Sequence, residues 1–237
     1  MNRIAFMVVR HLFQVPIWFY KVNKMGKHKE KYPEKERYDY LRKIVKQINS
    51  SGRIHVSAHG VENIPEKESF ILFPNHQGLF DMLALIDTCP RPLGAVVKKE
   101  VANVILVKQV VNLLDGISMD RSDLRSSMEV IQKMTQEVKN GRNYAIFAEG
   151  TRSRNGNRIL EFKAGTFKSA VKAKCPIIPV ALIDSYKPFD VSSIKKEEVQ
   201  VCYLAPLYPD QYMGLTTKEI ADIVHDRIQE EIDKNKW

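Results

Sequence analysis

The stretch SFILFPNHQGLFD, residues 69–81, places a histidine and an aspartate immediately after a short apolar run. The run from Ser69 to Phe73 has the length and composition of a buried strand, so His76 and Asp81 are predicted to lie at a strand exit. Strand exits are where α/β sheets usually carry their chemistry. If a helix begins near Leu79, the Asp81 carboxylate can accept a hydrogen bond from one nitrogen of His76 and leave the other free as a base. A histidine near an aspartate is also common in proteins without catalysis, so these residues alone leave both interpretations open.

Composition and charge narrow the classes of protein that the chain can represent. Its 237 residues, 44% of them hydrophobic, are enough for one well-packed α/β domain with an N-terminal appendage. Cys89, Cys175 and Cys202 are far apart, so neither a disulfide framework nor a cysteine zinc site is expected, and a reducing, cytoplasmic setting fits best. Residues 1–46 hold twelve Lys or Arg and four Asp or Glu, which is +8 of the net charge of +9. This asymmetry predicts a basic N-terminal arm that meets an anionic partner.

Residues 4–20 are rich in apolar and aromatic side chains, but polar residues and a proline interrupt them. No run reaches the roughly 18 uncharged residues of a membrane-spanning helix, and a secretory signal peptide is not expected. At about 100° per residue, one side of the helix collects polar side chains, Arg3, Arg10, Gln14 and Lys21. The opposite side collects apolar ones, Ala5, Val8, Leu12 and Phe19. The pattern predicts an amphipathic helix, kinked at Pro16.

The wide apolar face, the aromatic residues 18–20 and the lysines after them suit a helix that lies in a membrane interface. Anionic head groups attract such a basic run by about 1 kcal/mol per cation. The alternative is an amphipathic helix that packs on its own domain. We expect residues 1–48 to be a basic amphipathic membrane-association segment and residues 49–237 the α/β domain. The protein would then be peripheral or monotopic on the cytoplasmic face of the cell membrane.

Beyond the N-terminal segment, short apolar strands alternate with helical patterns. Strands are expected at 53–61, 69–73, 93–97, 144–147, 177–183 and 199–204. Helices are expected at 38–48, from 79, before 114, between 122 and 141, at 162–174 and from 220 to 232. The alternation predicts an α/β fold with a single mixed sheet flanked by helices. His55 and His59 share a strand face too far apart to chelate one metal, so we expect them to be exposed.

A second polar cluster follows the strand at 144–147, where the chain reads Ala-Glu-Gly-Thr-Arg-Ser-Arg over residues 148–154. Gly150 permits close approach of the backbone, and Thr151 and Arg152 can donate hydrogen bonds, which is typical of a site for a phosphate monoester. Arg121 precedes a plausible helix cap and can add its charge to free backbone N–H groups there. Taken alone, such an arginine would be interpreted as a surface residue.

Several motifs of other enzyme classes are absent from the sequence. It contains no Gly-x-Ser-x-Gly elbow, no Walker loop, no dinucleotide fingerprint and no His-Glu-x-x-His. A His–Asp pair without a serine indicates that the hydroxyl to be activated belongs to the substrate. The expected reaction is direct acyl transfer to a bound alcohol, without a covalent enzyme intermediate.

In these blocks the chain resembles the PlsC-like glycerolipid acyltransferases, which include the 1-acylglycerol-3-phosphate (lysophosphatidic acid) acyltransferases. Residues 75–81 match the family's NHxxxxD, residues 116–121 a block ending in Asp-Arg, residues 147–153 FPEGTRS, and residues 176–180 a proline-containing block. Residues 97–101 are similar to a lysine segment of the family. The sequence departs from the family pattern at Ala148, where proline is usual, and at Ser118-Met119, which make the second block less apolar.

The resemblance implies that His76 is the general base and that Asp81 orients it. An acyl thioester, on acyl carrier protein or coenzyme A, would donate the chain to lysophosphatidic acid and give phosphatidic acid in phospholipid biosynthesis. The residues that the resemblance assigns to the glycerol phosphate are Lys98, Arg121, Glu149, Gly150, Thr151 and Arg152. No metal and no other cofactor is expected. Some members have an N-terminal two-helix motif that dips into the membrane, in agreement with the prediction for residues 1–48.

Two alternatives stay open at this point. One is the same chemistry on another lysolipid or alcohol. The other is a non-catalytic protein that binds anionic membranes or nucleic acid through its basic arm, which leaves the His–Asp pair without a use. We therefore expect a membrane enzyme and no nucleic-acid partner.

Overall fold

The structure is a computed structural model that describes residues 3–104, 106–120 and 123–235. Within these residues one sheet contains β1 (Ile54–His59), β2 (Ile71–Pro74), β3 (Gly94–Lys98), β4 (Ile117–Met119), β5 (Tyr144–Ala145), β6 (Ile177–Ile183) and β7 (Glu197–Tyr203). The strand order is β1-β7-β6-β2-β5-β3-β4. Neighbouring strands are parallel except for β6 and β7, which are antiparallel. The predicted single mixed sheet is confirmed.

Helices cover both faces of this sheet. They are α1 (Arg3–Arg10), α2 (Gln14–Lys27), α3 (Glu34–Ser51), α4 (Asp81–Thr88), α5 (Lys99–Ala102), α6 (Val107–Leu113), α7 (Leu124–Lys139), α8 (Lys168–Ala173), α9 (Lys187–Asp190), α10 (Pro209–Tyr212) and α11 (Thr217–Lys234). Successive strand residues point to opposite faces, so Leu72 joins the core under α3 and α4, while Ile71 and Phe73 join the core under α7 and α11. All residues of β6 are buried, as expected of a central strand covered on both sides.

The direction of the strands determines where the functional loops lie. Because β2, β3, β4, β5 and β6 run parallel, their carboxyl ends share one edge of the sheet. The loops that follow Pro74, Lys98, Ala145 and Ile183 therefore leave the sheet on the same side. The residues after these four ends form the edge that we call the catalytic edge.

The N-terminal segment differs from its prediction in three respects. Two helices, α1 and α2, take the place of one kinked helix, and residues 11–13 form the turn between them. Pro16 lies in the first turn of α2, where its missing N–H breaks no helical hydrogen bond. Arg3, on the predicted polar side of the helix, is buried. The helix α3 continues past residue 48 to Ser51, and side chains of α2 and α3 share the core of the sheet.

The predicted apolar face of this segment is nevertheless turned outward. Ala5, Val8, Leu12 and Phe19 are all exposed, as are further apolar residues nearby, Ile4, Val9, Phe13, Ile17 and Tyr20. In residues 3–104, 106–120 and 123–235, no helix is both long enough and apolar enough to span a bilayer.

Smaller differences concern short elements. The strand β4 was not predicted, because three residues carry too little pattern. The helix expected at 162–174 is a 3₁₀ turn, Ala164–Phe167, followed by the short α8. His55 and His59 are exposed on β1, as predicted.

Candidate active site

His76 and Asp81 meet at the catalytic edge as the sequence predicts. Asp81 opens α4 and is fully buried, and its Oδ2 lies 2.7 Å from Nδ1 of His76. The same oxygen accepts the backbone N–H groups of Gln77 at 2.7 Å and Gly78 at 3.1 Å. These bonds fold the loop around the carboxylate. Since Nδ1 is engaged by Asp81, Nε2 is the nitrogen that can take a proton from a substrate.

The loop after β5 holds His76 from three directions. Glu149 Oε1 accepts the His76 N–H at 2.6 Å, and the His76 carbonyl accepts the Ser153 N–H at 2.8 Å. The Phe147 ring stacks on the imidazole with centroids 4.1 Å apart and planes inclined by 24°. Both peptide groups and the ring of the histidine are thus fixed before a substrate binds, which is the preorganisation that proton transfer needs.

Glu149 is the buried carboxylate of the loop after β5 and holds the loop that contains His76. The residue is buried, and its second oxygen, Oε2, accepts the Leu160 N–H at 3.0 Å. Burial raises the pKa of Glu149 to about 7, the two backbone hydrogen bonds oppose that rise, and the charge of Asp81 adds to it. A carboxylate whose two oxygens each accept a backbone N–H positions the loop. Direct contact with the glycerol phosphate, which the resemblance assigns to Glu149, stays a prediction.

The other predicted substrate residues lie along the same edge. Gly150 has a φ of +71°, the left-handed region that favours glycine, and an added Cβ would lie 2.8 Å from Lys163 Nζ. Thr151 is exposed, and Arg152 Nη1 lies 3.4 Å from Asp190 Oδ1. Lys98 ends β3 and pairs with Glu100 at 3.1 Å. Arg121 lies outside the described residues.

Several residues that the sequence analysis missed support the dyad. Asn75 Nδ2 donates to the Leu182 carbonyl at 3.0 Å, and its Oδ1 accepts the Leu182 N–H at 2.7 Å. These bonds tie residues 75–81, which we call the catalytic loop, to β6. Gln77 Oε1 accepts the Ser185 N–H at 2.9 Å. Ser185 Oγ donates to Asp81 Oδ1 at 2.5 Å. Asn75 and Gln77 could have been suspected as buried-loop polar residues next to His76, whereas nothing near Ser185 in the sequence indicates its role.

All three cysteines are free and buried, and burial raises the pKa of Cys89 to about 11 and that of Cys202 to about 12, so they remain thiols at neutral pH. Among residues 3–104, 106–120 and 123–235, no group of three His, Cys, Asp or Glu is arranged to hold a metal ion.

Comparison with known proteins yields consistent matches. A family model described as Acyltransferase matches residues 55–183. A "Probable 1-acyl-sn-glycerol-3-phosphate acyltransferase" of Mycoplasma pneumoniae is 26% identical over 209 residues, covering 82% of this chain and 77% of the relative. The "1-acyl-sn-glycerol-3-phosphate acyltransferase" of Borreliella burgdorferi is 29% identical over 185 residues, covering 77% and 74%. The human "1-acyl-sn-glycerol-3-phosphate acyltransferase alpha" is 27% identical over 199 residues, covering 82% and 68%.

A solved structure shares the whole fold. It is the crystal structure of the 1-acyl-sn-glycerophosphate (LPA) acyltransferase PlsC from Thermotoga maritima, with a TM-score of 0.72 and 22% sequence identity. The superposition covers 98% of this chain and 99% of the other. At that identity the match establishes the fold.

Proposed function

The chain belongs to the acyltransferase family, and from that premise we propose that it transfers a fatty acyl chain from an acyl thioester to the free hydroxyl of lysophosphatidic acid, giving phosphatidic acid. The observation that carries the proposal is the His76–Asp81 contact of 2.7 Å at the catalytic edge, beside the polar loop 149–154. The names of the three relatives support the choice of acceptor.

The dyad can perform the transfer without a covalent enzyme intermediate. His76 Nε2 takes the proton of the acceptor hydroxyl while the oxygen attacks the thioester carbonyl, and the new C–O bond gives a tetrahedral intermediate. The intermediate collapses with cleavage of the C–S bond, and the thiolate leaves and recovers the proton from the imidazolium. Asp81 holds the tautomer and stabilises the imidazolium that forms. The reaction needs no further cofactor; acyl carrier protein or coenzyme A carries the donor chain as co-substrate.

The charges at the catalytic edge suit an acceptor with a phosphate monoester. Lys98 and Arg152 lie there, and the resemblance also assigns Arg121, which is outside the described residues, to the phosphate. A dianion rewards charge-assisted hydrogen bonds from such groups. Arg152 is only loosely held by Asp190, at 3.4 Å and partly exposed, so a phosphate can compete for it. Glu149 contributes by holding His76 in place.

The proposal places the enzyme on a membrane surface, where its lipid acceptor resides. The helix α1 and the turn that follows it expose large apolar side chains, of which Val9 in α1 is 71% and Phe13 in the turn 86% exposed. Exposed lysines follow on α2, at Lys21, Lys24 and Lys27. Apolar residues beside cations are typical of an interfacial helix on anionic lipid. The cytoplasmic face of the membrane is part of the proposal.

The test is acyl transfer by the purified protein in lipid micelles, with lysophosphatidic acid as acceptor and the two thioester donors assayed separately. Loss of a general base costs roughly 10²–10⁴-fold, so His76→Ala should lose at least that much activity. His55→Ala, which removes an exposed histidine of β1, is the matched control and should retain full activity. The better donor in the wild type identifies the thioester.

Two outcomes would redirect the proposal. Transfer to lysophosphatidylcholine but not to lysophosphatidic acid would show the same chemistry on another lysolipid. Absence of transfer to any acceptor, together with vesicle binding that survives in His76→Ala, would favour a non-catalytic binder of anionic membranes.

A further inference from the structure

A short segment after β6 lies along the whole catalytic loop. We call residues 184–190 the strap. Ser185 Oγ donates to Asp81 Oδ1 at 2.5 Å, and the Phe189 ring meets Phe80 edge-on with centroids 5.2 Å apart and planes at 87°. Asp190 Oδ2 accepts the Leu79 N–H at 3.3 Å. The strap therefore touches three consecutive residues of the catalytic loop, 79 to 81.

The far end of the strap also reaches the loop assigned to the phosphate. Asp190 Oδ1 lies 3.4 Å from Arg152 Nη1, so one carboxylate contacts both the catalytic loop and a predicted substrate residue. Gly78 packs closely against the strap, since an added Cβ would lie 2.9 Å from the Tyr186 Cα. A displacement of the strap would consequently move Asp81, Leu79 and Arg152 together.

One buried guanidinium fastens the strap from outside the sheet. Arg3 in α1 is 1% exposed, and its Nε donates to the Pro188 carbonyl in α9 at 3.1 Å. Its other nitrogens reach Gly52 O at 2.7 Å, Lys195 O at 2.9 Å and Glu197 Oε1 at 3.2 Å. Burial lowers the pKa of Arg3, and Glu197 opposes that change. A buried charge is costly unless its donors are matched, and here every nitrogen of the fork has an acceptor.

We propose that Arg3 is a positioning residue of the active site, which acts through the strap on Asp81, Leu79 and Arg152. The proposal rests on the proposed acyl transfer for its kinetic consequence. Through its guanidinium, Arg3 joins four separate segments, which are α1, the end of α3, the strap and the start of β7. Neither an apolar side chain nor a single ammonium group can make this set of contacts. The outer face of the same helix carries exposed Ile4, Val8 and Val9, so the helix that would rest on lipid also holds the strap.

The experiment compares Arg3→Ala and Arg3→Lys with Arg10→Ala, which removes an exposed arginine of the same helix. Hydrogen–deuterium exchange is followed over residues 75–81 and 184–190, and kcat and KM are measured well below the melting temperature of each variant. Arg3→Ala should raise exchange in both segments by about tenfold or more and lower kcat/KM by a similar factor, because local opening exposes these amides. Arg3→Lys should lie between Arg3→Ala and the wild type, and Arg10→Ala should keep the wild-type exchange over residues 75–81 and 184–190.

A double-mutant cycle separates positioning from a purely structural role. Arg3 holds the strap, and Asp190 connects the strap to Leu79 and Arg152, so both residues act through the same segment. The double variant Arg3→Ala/Asp190→Asn should therefore be no slower than the slower of the two single variants. Additive losses, or exchange that rises in α1 while residues 75–81 and 184–190 stay protected, would overturn the proposal. If the wild type transfers no acyl chain, the proposed function fails, and the exchange pattern still decides whether Arg3 supports the loop. Should Arg3→Ala not fold, Arg3→Lys supplies the same comparison.

Discussion

The two ends of the sheet satisfy their charged side chains in opposite ways. At the amino ends of β4 and β5, Arg37 Nη2 pairs with Asp115 Oδ2 at 2.7 Å, and Arg142 Nε pairs with Glu34 Oε1 at 2.9 Å and also contacts Glu137. At the catalytic edge, within the described residues, Asp81 and Glu149 have no Lys or Arg partner and accept from backbone N–H groups and from Ser185.

The difference follows from what each set of charges is for. Paired charges neutralise each other and hold the N-terminal helices on the sheet. Lys29 lies between α2 and α3, and Glu34 and Arg37 lie in the first turn of α3, while their partners belong to the sheet side. Backbone N–H groups orient a carboxylate without cancelling its charge. In the part of the chain that the structure describes, Asp81 is thus oriented toward His76 without a competing cation, and the cations of this edge pair with carboxylates other than Asp81 and Glu149, Lys98 with Glu100 and Arg152 with Asp190. Within the described residues, the kind of partner therefore distinguishes the charges that hold the helices from those that we assign to catalysis.

The comparison predicts its largest effect at Asp81. Asp81→Asn keeps the size of the side chain but cannot favour the correct tautomer or the imidazolium, so kcat should fall by roughly 10³–10⁴-fold while the acceptor KM changes little. The check is steady-state kinetics with lysophosphatidic acid. A variant that retains more than a tenth of wild-type kcat would show that the backbone-held carboxylate is structural after all.

At the opposite end, Arg37→Ala should affect stability and leave catalysis alone. Arg37 is 5% exposed and donates to Asp115 and to the Tyr32 and Leu113 carbonyls. Asp115 is partly exposed and keeps Lys29 as a partner, so the main loss is at the buried carbonyls, and the free energy of unfolding should fall by about 1–3 kcal/mol in a urea titration. Lys35→Ala, at an exposed i,i+4 pair with Asp39, is the control and should change stability by less than about 1 kcal/mol. A matching loss of kcat at low temperature would contradict the separation of the two ends.

Glu149→Gln tests whether an unpaired buried carboxylate positions His76. The amide offers one acceptor where the carboxylate offers two, so one backbone N–H loses its partner and kcat should fall roughly 10–100-fold. In the wild type, Glu149 takes up a proton as the pH falls through about 7. On the acid side, the plot of log kcat against pH should therefore be steeper than the uptake of a single proton would make it. The variant should show the shallower slope, and Glu34→Gln, at the opposite end, should keep the wild-type profile.

Glu149→Gln should also change how the stability of the protein depends on pH. Because the folded pKa of Glu149 is raised to about 7, its contribution to stability is greatest below the ordinary value of 4.5 and is lost as the pH rises through about 7. The stability of Glu149→Gln relative to the wild type should therefore improve between pH 5 and pH 8. Urea titrations at both pH values measure it, and a constant difference would mean that the carboxyl does not change its charge in this range.

The smallest expected effect lies outside both ends, on the exposed turn between α1 and α2. Phe13→Ser removes a side chain that is 86% exposed, so stability should not change. Full burial of a phenylalanine side chain contributes about 1.5–3 kcal/mol. Because Phe13 would insert only partly into lipid, the wild type should bind vesicles about tenfold more tightly than the variant. Met213→Ser, at another exposed apolar residue that lies outside the N-terminal segment and is 65% exposed, is the control. If both variants bind anionic vesicles as tightly as the wild type, the turn does not contact the membrane.

Much of the site could be predicted because its chemistry is local. His76 and Asp81 are five residues apart, so a strand exit and one helical turn suffice to bring them together, and the distance of 2.7 Å confirms that prediction. The resemblance carried by the four blocks is confirmed at the level of the acyltransferase family. Substrate contacts of Lys98, Arg121, Gly150, Thr151 and Arg152 remain predictions.

What the sequence could not reveal depends on long-range contact. Ser185 is more than one hundred residues from Asp81, and Arg3 is 185 residues from Pro188. The helical wheel placed Arg3 on a polar face, which was correct as a pattern, but it could not show that this face meets the carbonyls of the strap and of Gly52. The alternation of apolar residues likewise could not distinguish a free N-terminal arm from helices that share the core.

By itself the sequence determined the alternation of strands and helices, the pairing of His76 with Asp81, and the basic N-terminal segment with its apolar side. Each of these features depends on residues that are close together in the chain, so a local pattern is enough to predict it. The tertiary structure alone decided which carboxylates pair with cations and which with backbone N–H groups, and it placed Arg3 against the strap. Partners of buried polar groups are chosen by the packing of distant segments, since each such group must be satisfied by whatever the fold brings within hydrogen-bond distance.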